Sequence, residues 1–150
     1  MDGKSYTDRT CRRYTSRKTK GARGVNSPAR RHFTAKQAEF DAIREFIETA
    51  CAGIEDDERQ RAVLLVEELF ANSVFHGYGG DSDQLVWLTI DINEEGCHLV
   101  YEDSAPPYNP FLGDEPNLDD TALEDRQVGG LGLVFLIELS SSRKYERPAP

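Results

Sequence analysis

The chain has 150 residues and a formal net charge of −9 at pH 7, with 38% hydrophobic and 30% charged residues. This length suits a single domain with a hydrophobic core, and no apolar run approaches the roughly 20 residues that a membrane-spanning helix requires. The three cysteines are widely spaced and form no CxxC pair, which argues against a disulfide framework and a zinc site. They favour a reducing, cytoplasmic setting.

The beginning of the chain differs from the rest in composition. Ten lysine and arginine residues fall within residues 1–31, against two aspartates, so the remainder is strongly acidic and repels nucleic acid. Residues 1–28 are predicted to be a disordered basic leader, followed by one domain over residues 29–150. A solvated leader or an over-extended start is the favoured interpretation, and a transit peptide or an arm that binds nucleic acid or an anionic surface is the alternative.

A short strand is predicted around residues 31–33, followed by an amphipathic helix over residues 35–52. Thr34 and Gln37 have the spacing of a capping box, and Gly53 is placed to end the helix. Apolar side chains recur at helical steps, at Phe40, Ile43, Ile47, Ala50 and Ile54.

An apolar helical run over residues 64–80 carries polar side chains that need an explanation. At about 100° per residue, Glu68, Asn72 and His76 fall in one sector, together with Phe75 and Leu65. A carboxylate and an amide one turn apart, facing inward among apolar neighbours, are predicted to act on one charged ligand. Glu67 points elsewhere, and His76 is predicted to pack or to end the helix.

Alternating hydrophobicity predicts a half-buried strand over residues 84–92. A hairpin loop over residues 93–96 leads into a second strand over residues 97–103, which leaves Asp103 at its end. Residues 104–125 form a polar, proline-punctuated loop of a length that usually belongs to a lid or a binding loop.

A glycine-rich turn that runs into an apolar helix is predicted over residues 129–139. Such a junction exposes backbone N–H groups and suits phosphate. A last short strand is predicted over residues 143–147.

Three segments occur in order along the chain, and they read ELFANSVFHGY, EDSAPPYNP and LEDRQVGGLGL. Together they resemble the motifs of the Bergerat-type ATPase fold of gyrase, histidine kinases and anti-sigma serine kinases, over about residues 33–147. The likeness is greatest to small bacterial anti-sigma regulatory kinases. The resemblance implies an α+β, two-layer fold whose mixed, mostly antiparallel sheet is covered on one face by helices, as in histidine kinase-like ATPases.

The resemblance also implies roles for individual residues. Glu68 matches the general base that takes the proton from an attacking hydroxyl, and Asn72 matches the Mg²⁺ ligand beside the nucleotide. Asp103 matches the aspartate that accepts a hydrogen bond from the adenine amino group, with Ala105 next to the base. The implied phosphate-binding residues at the end of the lid are Arg126, Gly129, Gly130, Leu131, Gly132 and Leu133.

Two departures from the family pattern lead to further expectations. Ala105 stands where the family usually has glycine, and alanine costs about 1 kcal/mol or more if the backbone there needs a positive φ. Family members usually continue into another strand, so the sheet is one strand short unless the basic leader or a partner compensates. Without the other motifs, Glu68 and Asn72 would be interpreted as a structural polar pair.

The function that the resemblance implies is that of an ATP- and Mg²⁺-dependent protein serine/threonine kinase that is also an anti-sigma factor. Its substrate would be an anti-anti-sigma protein with a STAS-type fold, its second partner would be an RNA polymerase sigma factor, and relatives often form homodimers. A degenerate relative that sequesters a sigma factor or another regulator without phosphoryl transfer is the second hypothesis. The third gives the basic leader the main role, with strongly salt-dependent DNA binding.

Overall fold

The computed structural model describes residues 10–15, 27–94, 96–106 and 142–146. These residues form a two-layer α+β fold, in which a sheet is covered on one face by two helices. The fold class predicted from the resemblance is therefore confirmed. No helix in the described ranges is long and apolar enough to cross a membrane.

The strands and helices follow one another along the chain. The strands are β1 (Thr10–Thr15), β2 (Ala29–Ala35), β3 (Ser82–Asn93), β4 (Gly96–Asp103) and β5 (Ser142–Glu146). The helices between β2 and β3 are α1 (Phe40–Ala50) and α2 (Asp56–Ala71), with a 3-10 turn (Gln37–Glu39) before α1 and a π turn (Asn72–Gly77) after α2. The order across the sheet is β2-β3-β4-β1-β5, and each described strand pairing is antiparallel.

Strand β1 lies inside the segment that composition predicts to be disordered. It pairs with β4 from Thr10↔Asp103 to Thr15↔His98, and with β5 on its other side. The prediction of a leader without structure is therefore wrong for residues 10–15. Backbone hydrogen bonds to two neighbouring strands do not require aliphatic side chains, so the composition of the segment does not reveal them. The sequence left open whether the sheet is one strand short or whether the basic leader or a partner compensates. In the structure the leader supplies an additional strand, β1.

The core lies between the helices and one face of the sheet. Alternation along β3 buries Val86, Leu88 and Ile90 on the helical side and leaves Trp87 and Thr89 on the opposite face, as predicted. Burial of each large apolar side chain contributes about 1.5–3 kcal/mol. The helices contribute buried side chains at Ile43, Ile47, Val63, Leu65, Val66, Leu69 and Phe70.

Two free cysteines, Cys51 and Cys97, also belong to the core. A hydrogen bond with the Cys51 thiol and burial both raise the pKa of Cys97, so this thiol stays protonated at neutral pH. Cys97 is therefore a packing residue and not a reactive thiolate.

The first helix starts differently from the prediction. Thr34 Oγ1 donates to Glu39 Oε1 at 2.9 Å, and the Gln37 N–H donates to Asp81 Oδ1 at 2.9 Å. The predicted capping box does not form, because the carboxylate that receives this N–H comes from the loop before β3. The α-helical part is also shorter than the predicted range of residues 35–52.

Helix α2 continues directly into the π turn. This turn is closed by hydrogen bonds between residues five apart, such as Tyr78 N–H to Ser73 O at 2.8 Å. The wider turn rotates the following side chains away from the α-helical period, and Phe75 and His76 are both exposed. The prediction that Phe75 and His76 lie in one inward-facing sector with Glu68 and Asn72 is therefore wrong.

Candidate functional site

Most of the described site residues lie in the π turn that follows α2 and at the C-terminal end of β4, and these two parts of the chain lie against each other. Asp103 is the last residue of β4 and has no exposed surface, and Ser73 in the π turn is 2% exposed. Tyr101 and Asp103 lie two residues apart, so strand alternation directs both toward the helical layer. A buried carboxylate needs hydrogen-bond donors, and the π turn supplies one.

Ser73, Tyr101 and Asp103 form a polar group that we call the buried cluster. Ser73 Oγ donates to Asp103 Oδ2 at 2.5 Å and accepts a hydrogen bond from the Tyr101 hydroxyl at 2.8 Å. Ser73 Oγ also lies 3.2 Å from the carbonyl oxygen of Leu69, but its single proton favours the shorter contact with the charged acceptor. The Tyr101 proton therefore points to Ser73 Oγ, and the Ser73 proton points to the carboxyl group of Asp103.

The chain that leaves β4 is held against the π turn. The Ala105 N–H donates to Asp103 Oδ1 at 3.2 Å, and the Ser104 N–H donates to the Tyr78 hydroxyl at 3.0 Å. In the first contact an aspartate binds the backbone two residues further on, which is the pattern of an Asx turn. Both contacts fix the start of the segment that is predicted to be a lid.

Ala105 packs against Gly77, the last residue of the π turn. A Cβ atom built on Gly77 would lie 2.7 Å from Ala105 Cβ, so the glycine leaves room for the alanine methyl group. Ala105 is 7% exposed, and none of the described non-glycine residues has a positive φ. The backbone strain expected at Ala105 is therefore absent, and its methyl group is accommodated by the glycine of the opposing turn.

Glu68 and Asn72, which we call the open pair, lie one turn apart and are half-buried. Neither side chain makes a hydrogen bond or an ion pair in the part of the chain that the structure describes. The neighbouring Glu67 instead binds Arg44 through Oε1, and its carboxylate raises the pKa of the Arg44 guanidinium. Among the described residues, Glu67 is therefore engaged by an ion pair and the open pair is not.

The structure thus brings Asp103 and Ala105 against the π turn, with Glu68 one turn before Asn72. The other site residues named by the resemblance lie outside the described residues. They are Arg126, Gly129, Gly130, Leu131, Gly132 and Leu133.

Sequence reasoning missed Ser73, Tyr101 and Tyr78. Ser73 interrupts an apolar run directly after Asn72, and Tyr101 shares a strand face with Asp103. Both positions gave a usable signal, since a polar group on a buried face needs a partner. Tyr78 gave no such signal, because it lies outside the helical period, directly after Gly77 at the end of the π turn.

The site offers oxygen ligands but no dedicated metal cage. Within the described ranges, no group of three or more His, Cys, Asp or Glu side chains is placed to hold a metal ion. The amide oxygen of Asn72 nevertheless fits Mg²⁺, which keeps several waters and takes few protein ligands beside phosphates.

A family model for the histidine kinase-like ATPase domain matches residues 33–150, which is more than half of the chain. The chain belongs to this family. A histidine kinase-like ATPase domain implies ATP binding, and the match begins within β2, so that β1 precedes it. Comparison with curated proteins gave no match.

Proposed function

We propose that the protein is an ATP- and Mg²⁺-dependent protein serine/threonine kinase that also acts as an anti-sigma factor. The observation that carries this proposal is the contrast between two adjacent glutamates of α2. Glu67 is engaged by Arg44, whereas Glu68 has no partner among the described residues and lies one turn before Asn72. A half-exposed carboxylate on a rigid helix is suited to accept a proton from a substrate hydroxyl.

In the proposed reaction, Glu68 accepts the proton of a serine or threonine hydroxyl on the partner protein. The hydroxyl oxygen forms a bond to the γ-phosphorus of ATP, the bond from that phosphorus to the bridging oxygen breaks, and ADP leaves. Asp103, held in the buried cluster, accepts a hydrogen bond from the adenine amino group. The chain contributes mainly positioning and proton acceptance, because phosphoryl transfer depends on alignment and charge stabilisation.

Asn72 would hold Mg²⁺ through its amide oxygen. When bound, the ion neutralises charge on the phosphate oxygens. In the same proposal Arg126 and the glycine-rich segment at residues 129–133 would contact the phosphates, because backbone N–H groups and a guanidinium both bind anions.

The proposed partners follow from the resemblance to anti-sigma kinases. The substrate would be an anti-anti-sigma protein with a STAS-type fold, the second partner an RNA polymerase sigma factor, and the protein itself would form a homodimer. The acidic composition beyond residue 31 supports partners with basic surfaces, because opposite charges steer association.

The test of the proposal is phosphoryl transfer from radiolabelled ATP to candidate partner proteins. Glu68→Gln and Glu67→Gln remove the same charge at adjacent positions, so the second variant is the matched control. We expect Glu68→Gln to lower kcat by about 10²-fold or more while ATP affinity is kept, and Glu67→Gln to leave kcat close to wild type. Transfer at the wild-type rate by Glu68→Gln would remove the general-base role.

A second candidate function is a binding module that sequesters a sigma factor or another regulator without phosphoryl transfer. It is favoured by Asp103, which has no exposed surface and whose two oxygens both accept hydrogen bonds from within the chain. Titration with labelled ATP and Mg²⁺ separates the two functions. Absence of binding would leave only the module, whereas binding followed by transfer to a partner would leave only the kinase.

A further inference from the structure

We infer that Ser73 and Tyr101 are positioning residues for recognition of the nucleotide base, an inference that rests on the proposed ATP-dependent function. They act through Asp103, because the aspartate contacts the base while the two hydroxyl groups hold the aspartate. The deciding observation is the buried cluster, in which Ser73 Oγ lies 2.5 Å from Asp103 Oδ2 and receives the Tyr101 hydroxyl at 2.8 Å.

The chemistry of the buried cluster fixes the direction of its protons. A tyrosine hydroxyl carries one proton, and a serine hydroxyl carries one proton and two lone pairs. Because Tyr101 donates to Ser73, the Ser73 proton is directed to Asp103. All three residues are at most 2% exposed, so water does not compete for these hydrogen bonds. Both protons are thus used within the buried cluster, which leaves Asp103 as a hydrogen-bond acceptor toward the base inferred here.

The two oxygens of Asp103 have different tasks in this arrangement. Oδ2 is held by Ser73, and Oδ1 lies on the side of Ala105, whose N–H donates to it at 3.2 Å. We assign the adenine amino group to Oδ1, since one carboxylate oxygen accepts more than one hydrogen bond. An amino group at position 6 of the purine donates to this oxygen, whereas the keto oxygen of guanine meets it as a second acceptor and is rejected.

Both hydroxyl-bearing residues are anchored in rigid elements. Ser73 belongs to the π turn, which the Tyr78 N–H closes at 2.8 Å. Tyr101 lies in β4, which is paired on both sides, opposite Arg12 of β1 and Leu88 of β3. A side chain on such a support keeps its orientation when a ligand arrives, and the buried cluster thereby holds Asp103 in one rotamer.

The test compares the affinities of wild type, Ser73→Ala and Tyr101→Phe for three nucleotides. These are ATP, GTP and purine riboside triphosphate, which is ATP without the 6-amino group. We expect Ser73→Ala to weaken ATP binding about tenfold, as for loss of one hydrogen bond to a charged group, with purine riboside triphosphate binding unchanged. Tyr101→Phe should cause a smaller loss in the same direction, because its hydroxyl acts through Ser73.

Thr89→Val is the matched control for removal of a hydroxyl group. Thr89 Oγ1 is buried on the opposite face of the sheet and has no hydrogen-bond partner among the described residues. The substitution should leave all three affinities at their wild-type values.

The outcomes separate a positioning role from a structural one. An equal loss of affinity for all three nucleotides, or an unchanged preference for ATP, would overturn the inference. If Ser73→Ala does not fold, Tyr101→Phe decides by the same criterion. A wild-type protein that binds none of the nucleotides would remove the proposed kinase and this inference together. A wild type that prefers ATP, with a Ser73→Ala variant that keeps the preference, would remove this inference alone.

Discussion

Asn72 and Ser73 are consecutive residues, yet they belong to two regions of the site with opposite character. Asn72 and Glu68 of the open pair are half-buried and make no side-chain hydrogen bond within the described ranges. Ser73 is 2% exposed and is bonded to both other members of the buried cluster. Among the described residues, the groups proposed to meet a substrate have no partner, whereas the group proposed to read a base is held in place before the base binds.

The two regions should also differ in what they contribute to stability. Asp103 is tolerated in the core because donors surround it, and a buried polar group that loses its partner costs about 1–3 kcal/mol. Glu68 and Asn72 are only half-buried, so their polar groups do not carry the desolvation cost of fully buried ones. Substitutions in the buried cluster should therefore change stability and binding together, and substitutions in the open pair should change activity alone.

The largest effect is expected for Asp103→Ala. The substitution removes the acceptor of the Ala105 N–H and of the Ser73 hydroxyl, together with the proposed base contact. We expect the free energy of unfolding to fall by about 2 kcal/mol and ATP affinity to fall about 100-fold. Urea denaturation and nucleotide titration measure the two losses. Loss of ATP affinity without loss of stability would contradict the distinction between the two regions.

An effect on stability alone is expected at Gly77, where the π turn packs against Ala105. The methyl group of Gly77→Ala would be forced against Ala105, because their Cβ atoms would lie 2.7 Å apart. We expect a loss of about 1–3 kcal/mol, as for other overpacked sites, measured by urea denaturation.

The double variant Gly77→Ala/Ala105→Gly supplies the control for that substitution. It moves the methyl group from one side of the contact to the other, so most of the lost stability should return. The interaction free energy from the double-mutant cycle measures the contact itself. If the two single effects simply add, packing between these two residues does not limit stability.

The periodic parts of the fold could be predicted because periodicity reports which side of an element is buried. Alternation over residues 84–92 identified β3, and the spacing of Glu68 and Asn72 identified the open pair. The composition of residues 10–15 did not reveal β1, because backbone pairing with β4 and β5 defines this strand.

The buried cluster and the fit of Ala105 could not be predicted because each depends on a contact between distant segments. Ser73 and Asp103 are 30 residues apart, and Gly77 and Ala105 come from the same two segments. Each residue has an ordinary local explanation, and only the packing of the π turn on β4 reveals the pairing. The π turn also displaced Phe75 from its predicted sector, since α-helical spacing does not anticipate a wider turn.

The smallest effect is expected for an aspartate that is paired but exposed. Asp83 forms an ion pair with Lys36 at 2.6 Å, and its side chain is 91% exposed. The hydrogen bond and charge of Lys36 lower the pKa of Asp83, so its pKa is lower in the folded than in the unfolded protein. The pair therefore stabilises the fold above the ordinary carboxyl pKa of about 3.9, and this contribution is lost as pH falls through the folded value.

Asp83→Asn should shift the urea midpoint at pH 7 only slightly, because solvent screens an exposed ion pair. The remaining difference from wild type should disappear as the pH falls through the lowered pKa of Asp83, because the carboxyl group of the wild type then becomes protonated. Lys36→Met and the double variant control for the separate effects of the two side chains. If Asp83→Asn destabilised the protein as much as Asp103→Ala, charge pairing and not burial would determine what a carboxylate contributes. The contrast between the open and the buried region would then need another physical cause.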